Sequence, residues 1–338
     1  MSFGYSVYFT ERARNRVIRW DPDSGDADVI AGEPADGDPS QKLNSPYGLV
    51  FDTGGSLLIA DKLNHRICRL RQSRLEPLVL RDEDGHRARL PDSWVHYDST
   101  LRCPTGLFIE QSGTLLCTFA DDYTVYRVHQ NGRLEHLLGI LRNRNYHFGA
   151  LRQTAPINEV KDVPLNGPTG IVARKDGTLY FIERMPQVVR CFRPQNGLSC
   201  VFPAEGAWER GRRGLNSSTA SFDNYHPAYP GSLAVDTNDD LYTTDIVQGV
   251  VLKCDLVART VTKVLEISKR SSAFTEGPAA LAFGPDGTAW ILNTVTHSVE
   301  AFEAGPSTPW KAKGIRLSKV NGQDLRLPIA GSGLALGK

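Results

Sequence analysis

Short apolar runs punctuated by Gly, Asp and Asn follow one another along this chain, and within them apolar and polar positions alternate with a period of two. No segment carries the sustained stripe of a surface helix, which excludes a helical solenoid. The runs also recur. LNSPYGLVFDTGGSLLIADKLNHRICRL begins at Leu43, LRCPTGLFIEQSGTLLCTFADDYTVYRV at Leu101 and LNGPTGIVARKDGTLYFIERMPQVVRCF at Leu165. Weaker copies, YPGSLAVDTNDDLYTTDIVQGVVLKCD and EGPAALAFGPDGTAWILNTVTHSVEAF, begin at Tyr229 and Glu276.

Each copy predicts a short strand, a Gly or Asp turn, a second strand, a polar corner and a third strand. A fourth strand is expected at EPLVL from Glu76, EHLLG from Glu135, LSCVF from Leu198 and VTKVL from Val261. Four short antiparallel strands per unit describe a propeller blade. The two ends complete one another: residues 4–32 match a repeat that lacks its first strand, and AGSGLALG at 330–337 matches a first strand without a continuation. The expectation is an all-β, six-bladed β-propeller of four-stranded blades, a single domain over residues 1–338, closed by a C-terminal strand that joins the N-terminal strands.

The strongest copy, with Pro46, Gly48, Asp52, Gly55, Asp61, Asn64, His65, Arg66 and Ile67 in register, resembles the NHL-repeat family of six-bladed propellers. The other copies lose its Asn-His-Arg corner, Asn64 being matched by Asp122, Pro186, Gln248 and Thr296. The resemblance implies a fold and leaves open lyase, sensor and protein- or RNA-binding roles.

Strand parity sends three long linkers, 81–100, 140–164 and 204–229, to one mouth of the ring. Connections in compact domains are usually far shorter, so the excess asks for a role. The linkers and their roots carry Trp94, His96, Tyr97, Arg102, Tyr146, Phe148, Trp208, Tyr225 and Tyr229, a set suited to stacking on a small molecule and pairing with its anionic groups. His147 and His226 supply imidazoles for general acid and base work, since that ring exchanges a proton near neutral pH. Phe222 belongs to the same third linker.

Two polar rings are expected at this mouth. Glu11, Asp61, Glu183, Asp245 and Asn293 end the second strands, with Phe119 breaking the series. For Asp61 and Asp245 the expected role is to accept backbone N–H bonds. Glu183 is read as a catalytic carboxylate, because Met185-Pro186 replaces the polar corner that would otherwise engage it. Asn44, Arg102, Asn166, Ala228 and Glu276 precede the first strands. Glu276, in TEGPAALAF, resembles the Glu-Gly-Pro segment of the gluconolactonase-like propellers, which implies a metal-binding or catalytic glutamate. With Asn44, Asn166 or Asp245 it offers oxygen ligands to Ca2+ or Mg2+. His65 and His297 share one blade corner, where a structural role is expected.

Composition narrows the classes. The 338 residues carry 39 Lys and Arg against 38 Asp and Glu, a formal charge of +1, so no basic excess predicts nucleic-acid binding. No 18-residue apolar run or leader-like start is present, which predicts a cytoplasmic protein without a membrane partner. The six cysteines show no C-x-x-C spacing and are expected to be reduced, Cys191 and Cys200 across their hairpin included. G-x-S-x-G, Walker-type, H-E-x-x-H and G-x-G-x-x-G motifs are missing. The leading expectation is a small-molecule enzyme performing elimination, isomerisation, cyclisation or hydrolysis at the mouth on an aromatic or anionic substrate, with no cofactor required. The alternatives are a non-catalytic scaffold for a protein partner and a divalent-metal-dependent, lactonase-like hydrolase.

Overall fold

The computed structural model describes residues 2–33, 37–82, 101–141, 155–185, 187–202, 218–225, 227–267, 276–305, 309–327 and 333–337. Six antiparallel sheets stand in a ring, each contributing its inner strand to the axis. Blade 1 runs outward as Leu334–Gly337, Ser6–Glu11, Arg16–Trp20 and Ala27–Ala31, so the last strand of the chain is its innermost. The inner strands of blades 2 to 6 are Pro46–Phe51, Pro104–Ile109, Pro168–Ala173, Pro230–Val235 and Pro278–Phe283. Neighbouring inner strands touch in turn, and the closing strand touches both blade 2 and blade 6.

The second strands, such as Leu57–Asp61 and Leu241–Asp245, are buried at every position rather than on one face. Blades pack against both of their faces, so the apolar side chains form clusters between successive blades. The inner strands approach one another at glycine. A Cβ on Gly106 would lie 1.9 Å from the carbonyl oxygen of Thr169, and one on Gly48 would lie 2.3 Å from that of Thr105. This contact narrows the axial passage to about 90 Å³ between residues such as Tyr47, Thr105, Gly170, Ser232 and Gly333.

The corner before each third strand holds a left-handed residue: Asn15, His65, Tyr123, Gln187, Gly249 and His297. Only one of these is glycine, and at Asn15, His65 and His297 the side chain offsets part of the conformational cost by accepting a backbone N–H that leads into the next blade. Asn15 Oδ1 accepts from Ser45 at 2.8 Å, His65 Nδ1 from Cys103 at 3.2 Å and His297 Nδ1 from Leu327 at 3.3 Å.

Three features differ from the sequence expectation. The fourth strand of blade 2 is Arg74–Pro77, and the residues after it cross to blade 3, where Arg81 N donates to Gly132 O at 2.8 Å. Blade 5 has a fifth strand, Thr219–Ser221, covering the edge of Thr260–Glu266. Phe222, expected in a mouth loop, is buried against Phe202. All six cysteines are free: Cys191 lies opposite Ser199 and Cys200 opposite Arg190, which puts the two thiols on opposite faces of their hairpin. Among the described residues no helix is long and apolar enough to cross a membrane.

Closure pairs Ser6 with Gly337, Val7 with Leu336, Tyr8 with Ala335 and Phe9 with Leu334. Gly333 extends it, its N–H donating to Thr10 Oγ1 at 2.8 Å and its carbonyl accepting from Thr10 N at 3.1 Å. Deleting residues 332–338 removes these bonds and uncovers apolar surface worth several kcal/mol, at roughly 1.5–3 kcal/mol per buried leucine. The expected outcome is a melting midpoint lowered by roughly 10 °C or more in circular dichroism. An unchanged midpoint would contradict the closure.

Candidate functional site

The two polar rings read from the sequence are bonded to one another. Asp61 Oδ1 accepts from Asn44 N at 2.7 Å, Glu183 Oε2 from Asn166 N at 3.2 Å, and Asp245 Oδ2 from Ala228 N at 2.7 Å. In blade 1, Glu11 Oε1 accepts from Arg326 N at 2.7 Å, so the chain closure reproduces the pattern. Blade 3 has Phe119 at this position, and Asp122, three residues on, accepts from Arg102 N instead. In blade 6 the hydroxyl of Thr294 accepts from Gly277 N at 2.9 Å, one position after the half-buried Glu276. Every one of these acceptors is buried.

Charged donors complete the acids. Arg16 Nε lies 2.6 Å from Glu11 and Arg66 Nε 2.7 Å from Asp61. Glu183 is not left freer by its altered corner, contrary to expectation. Val188 stands where Arg16 and Arg66 stand, but Arg190, two residues on and therefore on the same strand face, places Nε 2.7 Å from Glu183 Oε1. Burial pushes the carboxyl groups of Asp61 and Glu183 up despite these donors.

Asp245, expected with Asn44 or Asn166 as an oxygen ligand beside Glu276, is engaged by protein donors. Its carboxylate already accepts from Ala228 N, Tyr229 N, Gln248 Nε2 and the Tyr225 hydroxyl, the last at 2.8 Å. Tyr225, expected as a substrate contact, is fully buried by this role. Asn44 and Asn166 take part through their main-chain N–H groups. Among the described residues no three His, Cys, Asp or Glu side chains form a metal-ligand group. Trp94, His96, Tyr97, Tyr146, His147, Phe148, Trp208 and His226 lie outside the described residues.

A further ring is built by the residues immediately after the strand-end position: Arg12, Lys62, Ala120, Arg184, Ile246 and Thr294. Three of them are cations that gather at the mouth with Tyr47 and Tyr229. The Arg12 guanidinium lies 4.6 Å from the centroid of the Tyr47 ring and bonds Ser45 Oγ at 2.9 Å. Lys62 Nζ lies 5.1 Å from the same ring. Arg184 Nε donates to the Tyr229 hydroxyl at 2.9 Å, which places that expected substrate residue within the cluster. Burial, joined by the charges of Arg12 and Arg184, holds the Lys62 amine below the ordinary lysine value. Cys103 lies beside them, but burial and the Asp121 carboxylate, which accepts from its Sγ at 2.9 Å, push the thiol up to about 12. It is therefore a protonated thiol rather than a nucleophile.

The sequence reading missed Arg12, Lys62 and Arg184. Their signal is the recurrence of a basic residue one place after Glu11, Asp61 and Glu183 when the copies are aligned.

No family model and no curated protein sequence matches the chain. Solved structures do. The nidogen/laminin complex contains a chain that is similar at a TM-score of 0.60 and 14% identity, with 99% of each chain covered. A catalytically inactive virginiamycin B lyase from Staphylococcus aureus with quinupristin is similar at a TM-score of 0.54 and 11% identity, covering 99% of this chain and 95% of that one. A streptogramin B lyase is similar at 0.51 and 16%, covering 87% and 74%. These likenesses establish the propeller fold.

The Glu183–Arg190 pair separates a structural from a catalytic carboxylate. Glu183→Gln leaves Arg190 as a buried charge without its acid, a loss on the order of 3–5 kcal/mol. Urea unfolding is expected to show that loss. A fall in turnover at unchanged stability would instead assign Glu183 to catalysis.

Proposed function

We propose that this propeller is an enzyme carrying out acid–base chemistry on a small molecule at the mouth described above. The reaction belongs to the elimination, isomerisation, cyclisation or hydrolysis classes. The observation that supports it is Lys62, half-buried over Tyr47 and flanked by Arg12 and Arg184, with burial favouring its neutral amine. A neutral amine accepts a proton at a pH where an ordinary lysine is charged. In an elimination, Lys62 takes the proton from a carbon beside an electron-withdrawing group. The C–H electron pair becomes the new double bond, and the leaving group departs with its own bonding pair. The guanidinium groups offset the negative charge that develops. His147 and His226 are the other proton-transfer groups of this reading, and Arg102 and Tyr229 contribute to holding the substrate. The fold accommodates such chemistry, since virginiamycin B lyase is built on it.

Mass spectrometry of metabolite mixtures incubated with the protein identifies the compound consumed. Lys62→Met is then expected to lower turnover by roughly 100-fold or more with the melting midpoint retained, the scale of a lost proton-transfer group. His147→Gln and His226→Gln are expected to act in the same direction. The rate of the native protein should rise with pH through the lowered Lys62 value, because the neutral amine is the active form. Full turnover by Lys62→Met sinks the assignment of Lys62. A protein that consumes nothing but captures a protein partner at this face is a scaffold.

A further inference from the structure

We infer that Lys62 is a covalent capture site for small aldehydes and ketones, its amine condensing with the carbonyl carbon at the mouth to form an imine. The inference rests on the reading of the same mouth as the functional site, and it gives Lys62 a bond-forming role that needs no turnover.

Among the described residues, Lys42, Lys161, Lys175, Lys311, Lys313 and Lys319 are exposed. The half-buried lysines are Lys62, Lys253 and Lys263. Two of these sit on carboxylates, Lys253 Nζ lying 2.5 Å from Asp240 and Lys263 Nζ 2.6 Å from Glu266. Lys62 differs. Among the described residues no oxygen accepts from its amine, and what it faces is the Tyr47 ring, whose centroid is 5.1 Å from Nζ. An amine drawn out of water without an acceptor favours its neutral form. Burial is accordingly the main cause that holds Lys62 below the ordinary lysine value. Arg12 and Arg184 add to it, and the exposed Asp121 carboxylate opposes it without reversing it.

A neutral lysine amine is a nucleophile, and desolvation or a neighbouring cation is how a protein obtains one. The lone pair of Nζ attacks the carbonyl carbon, and the π pair of the C=O bond moves to oxygen, which takes up a proton. Both amine hydrogens leave with that oxygen as water, and a C=N bond remains. The step needs no oxidant or reductant. The protonated imine is a cation, and the surroundings suit one. The Tyr47 ring lies within cation–π distance, and the Asp121 carboxylate, which accepts from Cys103 Sγ at 2.9 Å, acts on the same nitrogen as a negative charge. While the imine lasts, the lone pair cannot remove a proton. A captured carbonyl compound therefore blocks the base role of the same residue.

The test is reductive alkylation of the full, folded chain at neutral pH with limiting propanal and sodium cyanoborohydride. The borohydride delivers hydride to the imine carbon and fixes the adduct as a propyl amine, which peptide mass spectrometry then locates. Lys62 is expected to gain its propyl group roughly tenfold or more faster than the exposed Lys42 and Lys311. The same reaction on the urea-unfolded chain should erase that preference, since the burial that creates it is gone. Equal rates at Lys62 and the exposed lysines in the folded chain overturn the proposal. So does an unlabelled Lys62, or a preference that survives unfolding. The native chain suffices, so no variant has to fold. An adduct on a protein that consumes no metabolite leaves the capture site standing and removes the enzyme reading. Turnover that requires Lys62, without an adduct, does the reverse.

Discussion

The bond between a buried acceptor at the end of each second strand and the backbone N–H leading into the inner strand of the same blade is the constraint on which this molecule is organised. It ties the axial strand to its neighbour at the mouth, where the chain must turn and two main-chain segments meet away from water. An unpaired donor there would cost about as much as a lost hydrogen bond. The acceptor varies in type without losing the bond. Asp61 and Asp245 use short carboxylates, Glu11 and Glu183 longer ones, Asp122 reaches back from three residues further on, and Thr294 serves with a hydroxyl.

Anchoring the acceptor also directs its successor. With the acid turned inward and saturated, the next residue projects over the lead-in segments that line the mouth. That position holds Ile246 and Ala120 where the fold needs packing, and Arg12, Lys62 and Arg184 where it gathers charge. The axial floor beneath is set independently by glycine contacts such as Gly106 against Thr169. A narrow floor and a charged rim thus come from different strands, the floor from the inner strands and the rim from the residue after each second strand, and the rim's mutual repulsion is the kind of local cost that functional sites carry.

Much of the fold was legible in the sequence because repetition reveals it. The Pro-x-Gly inner strands, the alternating runs and the complementary ends each recur or match, which identifies four-stranded blades and the closure. The fifth strand Thr219–Ser221 was not legible, since a three-residue edge strand inside a long linker has too little pattern to stand out. The engagement of Glu183 was not legible because its partner moved from the corner to Arg190, a shift that depends on which strand face a residue occupies. Tyr225 looked like a mouth aromatic, but its hydroxyl completes Asp245 from within the core. The mouth cations escaped because an Arg or Lys after an acid resembles ordinary surface charge until the blades are curved into a ring. Trp94, Tyr97, Tyr146, Phe148 and Trp208 lie outside the described residues, so they add nothing to this comparison.

The central claim is that the ring holds Lys62 half-buried beside Arg12 and Arg184, where its neutral amine is the base of the proposed chemistry. Its most direct measure is the titration of the Lys62 amine followed by NMR of selectively labelled lysines. The account predicts a pKa below the ordinary lysine value of about 10.4 in the native protein. An amine that titrates at the ordinary value would contradict it.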